Sequence, residues 1–235
     1  MIPRARRIPR ILAWPKAPSH SLLDGLRNLV LSGKLTRQDL ATLAKELEIA
    51  ERNFPALGTA FTNEAALSGF AVDMPDLDAA VGGWLSLARE GGWRYGSSTR
   101  QMALDAFEQW DLYATRSHNI DKLPFDAATK EAQAITKEVE ASMNPLVRMF
   151  VPNLSKAMMT HREALARLRL LRAATIILAT GEMPELGEPF GKNLSFEKDG
   201  DKFKIWSNGR DGVNQNGQGS WSQTAGPDIV LEIAK

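Results

Sequence analysis

Apolar residues recur at helical spacing over most of the chain and change to strict alternation near its end. Leu22, Leu23, Leu26, Leu29 and Val30 follow Ser21, and Ser32-Gly33 supplies a terminator that tolerates a left-handed backbone. Thr36 offers an N-cap with Asp39 three residues on, ahead of Leu40, Leu43, Ala44 and Leu47, so the first two segments predict a helical hairpin. Pro55 to about Phe70 predicts a shorter helix, and Pro75 opens another through Leu77, Val81, Trp84 and Leu87, ending at Gly91-Gly92. Ser98 with Gln101 forms a capping box for a helix that carries Met102, Ala106, Trp110 and Tyr113 on one face. Asp126 is the expected cap of a further helix to about Met143, which Asn144-Pro145 stops.

The longest predicted helix runs from about Leu154 to Thr180, bounded by Asn153 and Gly181. Leu154, Ala157, Ala164, Leu165, Leu168, Leu171 and Leu178 form its apolar stripe. Lys156, Glu163 and Arg167 fall away from that stripe and Arg162 and Arg169 at its margin, so an amphipathic first half is expected. Ala173 to Ala179 is apolar nearly all round, which predicts burial between two layers. After Gly181 the pattern becomes that of strands: Leu194 to Lys198 alternates, Asp199-Gly200 is the expected hairpin turn, Lys202 to Ser207 alternates again, and Ile229, Leu231 and Ile233 mark a closing strand. Three strands with one apolar face need a covering helix, and the long helix upstream is the natural one.

The fold class expected is therefore mainly α with a small C-terminal α+β unit. The expected division is a basic arm over 1–18, a helical domain over 19–152, and a long helix with an antiparallel sheet over 153–235.

Charge and composition narrow the function classes. The 235 residues carry a net charge of +1, which gives no global field for nucleic acid. Five bases (Arg4, Arg6, Arg7, Arg10 and Lys16) gather in the first sixteen residues without an acid, and Pro3, Pro9 and Pro15 forbid a continuous helix there. That arm suits an acidic partner, a membrane surface or nucleic acid, or else plain solvation of a poorly ordered terminus. Without cysteine, disulfides and thiolate metal sites are excluded. No apolar run approaches a membrane span, and the N-terminal residues have charge but no apolar core of a secretory signal.

Motifs for catalysis are sparse. His161-Arg162-Glu163 lacks the second histidine of a zinc helix, and His161 is expected to be a hydrogen-bonded core residue. His20 and His118 sit near helix ends. Gly209 to Gly219 reads as a turn-rich loop without the strand-to-helix context of a phosphate loop. Trp206 and Trp221 are open to two assignments, loop and core anchors or an exposed surface for peptide or glycan.

The order of elements after residue 152 resembles the pilin-like module of type II secretion major pseudopilins. The shared pieces are Glu188-Pro189-Phe190-Gly191-Lys192 before the hairpin, Ser207-Asn208-Gly209-Arg210-Asp211-Gly212 after it, and the final Asp228-Ile229. Together with Asn144-Pro145-Leu146 and the Arg167 to Leu171 run, the chain also resembles a broader uncharacterised bacterial family that joins a helical region to this ending. The resemblance implies calcium in the loop before the last strand, with carboxylates from Asp211 and Asp228 and the backbone carbonyl of Asn208 as ligands, to which Asn214 and Asn216 would add neutral oxygens. The residues themselves also admit a simpler arrangement, with Asp211-Gly212 a turn and Asp228 bonding backbone amides.

Pseudopilins begin with a processed leader and an apolar helix that packs the filament. Neither is read here, so the fold rather than the filament role is what carries over. The function expected is that of a non-enzymatic structural or interaction protein with protein partners, envelope-associated if an apolar span precedes Met1. The alternatives are an enzyme with dispersed catalytic residues and a peptide- or glycan-binding module.

Overall fold

A computed structural model describes residues 20–69, 99–222 and 227–234. The expected basic arm, the helix around Leu77 to Leu87 and the Ser98 cap lie outside the described residues.

The chain is mainly α with a small C-terminal α+β unit. The helices are α1 (His20–Leu31), α2 (Arg37–Arg52), α3 (Leu57–Gly69), α4 (Thr99–Ser117), α5 (Phe125–Ala141), α6 (Pro145–Phe150) and α7 (Leu154–Thr180), with a 3₁₀ turn over Ile120–Lys122. The strands are β1 (Ser195–Asp199), β2 (Lys202–Ser207) and β3 (Ile229–Ala234), antiparallel in the order β1-β2-β3. Among the described residues no helix is long and apolar enough to cross a membrane.

Local chemistry accounts for most boundaries. Thr36 and Asp39 close a full capping box at α2, with the Asp39 amide donating to the Thr36 hydroxyl at 3.2 Å and the Thr36 amide to the Asp39 carboxylate at 2.9 Å. The Asn153 side chain caps the amide of Lys156 at the start of α7, and Gly181 ends it at φ 88°. Two expectations around α5 change. Its N-cap is Pro124 and Asp126 lies within the first turn, where a carboxylate favours the positive end of the helix dipole without capping it. Asn144-Pro145 both stops α5 and starts α6, because Asn144 Oδ1 accepts from the Leu146 amide at 3.0 Å and proline fits the first helical turn. The Asn144 amide nitrogen also reaches the carbonyl of Met102 at 2.8 Å, which ties α6 to α4.

The hairpin turn is shifted by one residue. Asp199 pairs with Lys202, so Gly200-Asp201 make the turn, with Gly200 at φ 56° in the first central position.

The apolar core forms two clusters, and membership follows packing rather than chain order. Leu57, Phe61, Met102, Trp110, Ile120, Ile135, Leu146 and Met158 make one, gathering α3 to α6 on the start of α7. Leu23, Val30 and Leu47 of α1 and α2 join Leu170, Ile177, Ile205 and Leu231 in the other, so α7 is covered by the helical hairpin on one side and by the sheet on another. Burial of Ala173, Ala174, Thr175 and Ile177 follows, whereas Ile176, Leu178 and Ala179 are only half-buried.

The polar side predicted for the first half of α7 faces solvent at Lys156 but not at Glu163 or Arg167. Glu163 and Arg167 are each 2% exposed and Arg162 is buried as well. The side that carries them is roofed by the loop after β2 and by the turn before β1, and those segments bring the partners that make charge burial tolerable.

Candidate functional site

The turn that enters the sheet explains its own sequence. The carboxylate of Glu188 accepts from the Phe190 amide at 3.2 Å and from the Ser207 hydroxyl at 2.5 Å, which pins the turn to the end of β2. A side chain at Gly191 would run into that carboxylate and into the Asn208 side-chain amide, so any larger residue must displace both. Burial pushes the Glu188 carboxyl above its ordinary range, against the opposing pull of these hydrogen bonds.

From Ser207 the chain folds back over the outer face of the sheet. Trp206, register partner of Val230, is buried there, and its indole N–H donates to Asn214 Oδ1 at 2.9 Å. Gly217 passes against Lys204 and the Trp206 ring with φ 72°, a position that excludes a side chain on both counts. Trp221 is also buried and donates to Asp24 of α1 at 2.6 Å, with Arg27 over its ring. Both tryptophans are therefore anchors rather than an exposed surface.

Asp211 and Asp228 lie on two sides of Gln215. Asp228 is fully buried, and its Oδ2 accepts from the amides of Gly217 at 2.7 Å and Gln215 at 3.1 Å. Burial raises its carboxyl above the ordinary range, the negative charge of Asp211 adds to this, and the amide donors oppose it. Asp211 is exposed; its Oδ1 takes the Val213 amide at 2.9 Å and its Oδ2 the side-chain nitrogen of Gln215 at 2.5 Å. Asn208 belongs to the same loop, its side-chain nitrogen 3.5 Å from the Gly212 carbonyl. Asn214 spends its oxygen on Trp206 and on the Asn216 amide, so it anchors the loop instead of offering a ligand.

Gln215 has no counterpart in the expected ligand set. Its side-chain oxygen is buried with no hydrogen-bond donor among the described residues, an arrangement that costs about 1–3 kcal/mol. Its neighbours Asn214 and Asn216 are side-chain amides as well, so residue type does not single it out. Two carboxylates and a spare neutral oxygen are a donor set for a hard cation such as calcium. Among the described residues no three histidine or acidic side chains converge, so such a site must draw on neutral oxygens.

A second polar centre sits beneath this loop. Arg210 holds the buried Glu163 carboxylate with two hydrogen bonds, Arg167 stands 3.6 Å from the same group, and Arg167 Nε donates to the Trp221 carbonyl at 3.2 Å. Burial lowers the Arg167 guanidinium from its ordinary value, and the Glu163 charge works against that.

A cleft of about 510 Å³ opens between the end of α2, the start of α5 and α7. Its charges engage one another: Glu51 takes Arg169 at 2.7 Å and Arg172 at 2.9 Å, while Arg162 donates to the carbonyls of Pro189 and Leu123. His161 Nε2 lies 2.8 Å from the Pro55 carbonyl, which only accepts, so that nitrogen is the donor. Thr62 Oγ1 lies 3.0 Å from the Gly58 carbonyl and 2.8 Å from His118 Nε2, so this hydroxyl and ring are engaged with each other within the fold.

Comparison with protein-family models, with curated proteins and with solved structures found no match to this chain.

Proposed function

We propose that this chain is a non-enzymatic structural or interaction protein, of the kind used in envelope or secretion-related assemblies, whose C-terminal loop takes calcium. The observation that carries the calcium reading is the convergence of Asp211 and Asp228 on Gln215, in a loop held to α7 by Arg210. The structural role is supported by where the polar side chains are spent. Glu188, Glu163, Arg162, Arg167 and Arg169 all join one element to another, and the rings of His118 and His161 are held against a hydroxyl and a backbone oxygen. The secretion-related setting rests on the acidic-Pro-aromatic-Gly turn, the hairpin and the Asp-Ile ending in that order.

Calcium titration followed by thermal melting and amide exchange tests the loop. Calcium should raise the melting temperature and slow exchange over residues 208–217, and Asp211→Ala should remove both effects. If calcium and chelator leave wild type unchanged, the metal assignment is wrong and Asp228 is an amide acceptor alone.

A further inference from the structure

Four arginines lie along α7, and three of them have carboxylate partners: Glu163 for Arg167, and Glu51 for Arg169 and Arg172. Arg162 has none among the described residues, although it is only 7% exposed. Its guanidinium donates instead to the carbonyls of Pro189, Leu123 and, more weakly at 3.5 Å, Ile120, and it lies over the Phe125 ring 5.5 Å from the centre. A guanidinium has five N–H donors and these carbonyls take at most three, so donors remain for a further acceptor. Carbonyls satisfy hydrogen bonds but not charge, and burying this cation therefore carries a desolvation cost that an anion would offset. Burial accordingly lowers the guanidinium from its ordinary value, and the charges of Asp121 and Glu188 oppose this without pairing with it.

Arg162 lines the cleft of about 510 Å³ between α2, α5 and α7, a size suited to a small molecule. Phe54, Phe125 and Leu165 supply apolar wall, and Leu165 is half-buried there without joining either core cluster. The other charges of the cleft are engaged: Glu48 with Arg52, Glu51 with Arg169 and Arg172, Asp121 with the Leu57 amide, and Glu188 with the Ser207 hydroxyl. One guanidinium thus remains to attract an anion, while Glu51, Asp121 and Glu188 in the same space would repel a second negative charge. We propose that this cleft binds a small organic monocarboxylate with an aromatic or branched apolar body, its carboxylate on Arg162 and its body against Phe54, Phe125 and Leu165. The site goes beyond the structural reading above and does not depend on calcium in the C-terminal loop.

The full chain, held in chelator, is titrated by calorimetry with benzoate and phenylacetate, with the neutral amides of the same acids, and with inorganic phosphate. Both acids should bind at least about tenfold tighter than their amides and than phosphate, with Kd below about 1 mM. Arg162→Gln should bring the acids down to the level of the amides. Leu165→Trp, which fills the cleft and leaves Arg162 in place, should abolish binding of acid and amide alike. In wild type, phenylacetate should also shift the Arg162 Nε–H resonance, a response that an ion pair elsewhere on the surface would not give. Equal binding of acid and amide, phosphate bound as tightly as phenylacetate, wild-type affinity in Leu165→Trp, or no binding of either acid by wild type overturns the proposal. So does tighter binding of acetylglycylphenylalanine than of phenylacetate, which would place a peptide terminus there in place of a free acid. Melting shows that each variant is folded, and if Arg162→Gln is not, the comparison of acid with amide and the Nε–H shift decide.

Discussion

Arg210 grips Glu163 through two parallel hydrogen bonds, Nε to Oε1 at 2.5 Å and Nη2 to Oε2 at 3.0 Å, and thereby fastens the loop after β2 to the middle of α7. Glu163 is 2% exposed, with Arg167 on its other side. Glu163→Ala would leave the buried Arg167 facing Arg210 without their shared anion and should lower the unfolding free energy by about 3–5 kcal/mol. Arg210→Ala should cost less, about 1–3 kcal/mol, because Arg210 is partly exposed and Glu163 keeps Arg167. Urea denaturation of the two variants gives both numbers, and equal costs would contradict this ranking.

Asp228 holds its loop whether or not metal is present. In chelator, Asp228→Ala should strand the amides of Gln215 and Gly217, lower stability by about 1–3 kcal/mol and speed exchange at those two positions. Asp211→Ala, at an exposed turn, should change stability by less than about 1 kcal/mol in chelator. The contrast between them separates anchoring from ligation.

Glu188 gives the fold a signature in pH. Because burial raises its carboxyl above the ordinary value of 4.5, folding favours the protonated form. The stability it contributes is complete below pH 4.5 and is lost as pH climbs through the raised value. Arg162 favours the ionised form and narrows this window, whereas the charge of Asp228 widens it. Wild type should therefore lose melting temperature relative to Glu188→Gln between pH 4.5 and neutrality. A constant difference across that range would show that the carboxyl is not raised.

Gly58 is where α3 meets the backbone of His118. A β-carbon there would overlap the His118 main chain, so Gly58→Ala must separate α3 from α4 and should cost about 1–3 kcal/mol, measured by denaturation. Gly25, with nothing near it, should accept alanine and gain slightly in helix stability.

The elements with local causes were legible from sequence. The Thr36–Asp39 box, the Asn153 and Gly181 ends of α7 and the alternation of β2 and β3 each follow from chemistry within a few residues. What sequence misjudged depended on remote partners. Glu163 and Arg167 read as a solvent face because nothing in α7 announces that residues 47 and 54 positions downstream return to cover them. Asn144-Pro145 read as a stop because a proline turn and a proline first turn share one spelling, and Met102 decides between them. Within the candidate loop, Asp211 and Asp228 were identifiable and do meet at one residue. Gln215 was not, since its importance comes from which end of an amide finds a donor.

The bond from Trp221 to Asp24 joins side chains 197 positions apart, and Leu23 and Leu47 share a core with β2 and β3. The apolar face of this hairpin therefore waits for α7, and its polar latch for Trp221, so during synthesis the hairpin is exposed to chaperones and proteases until those distant segments arrive.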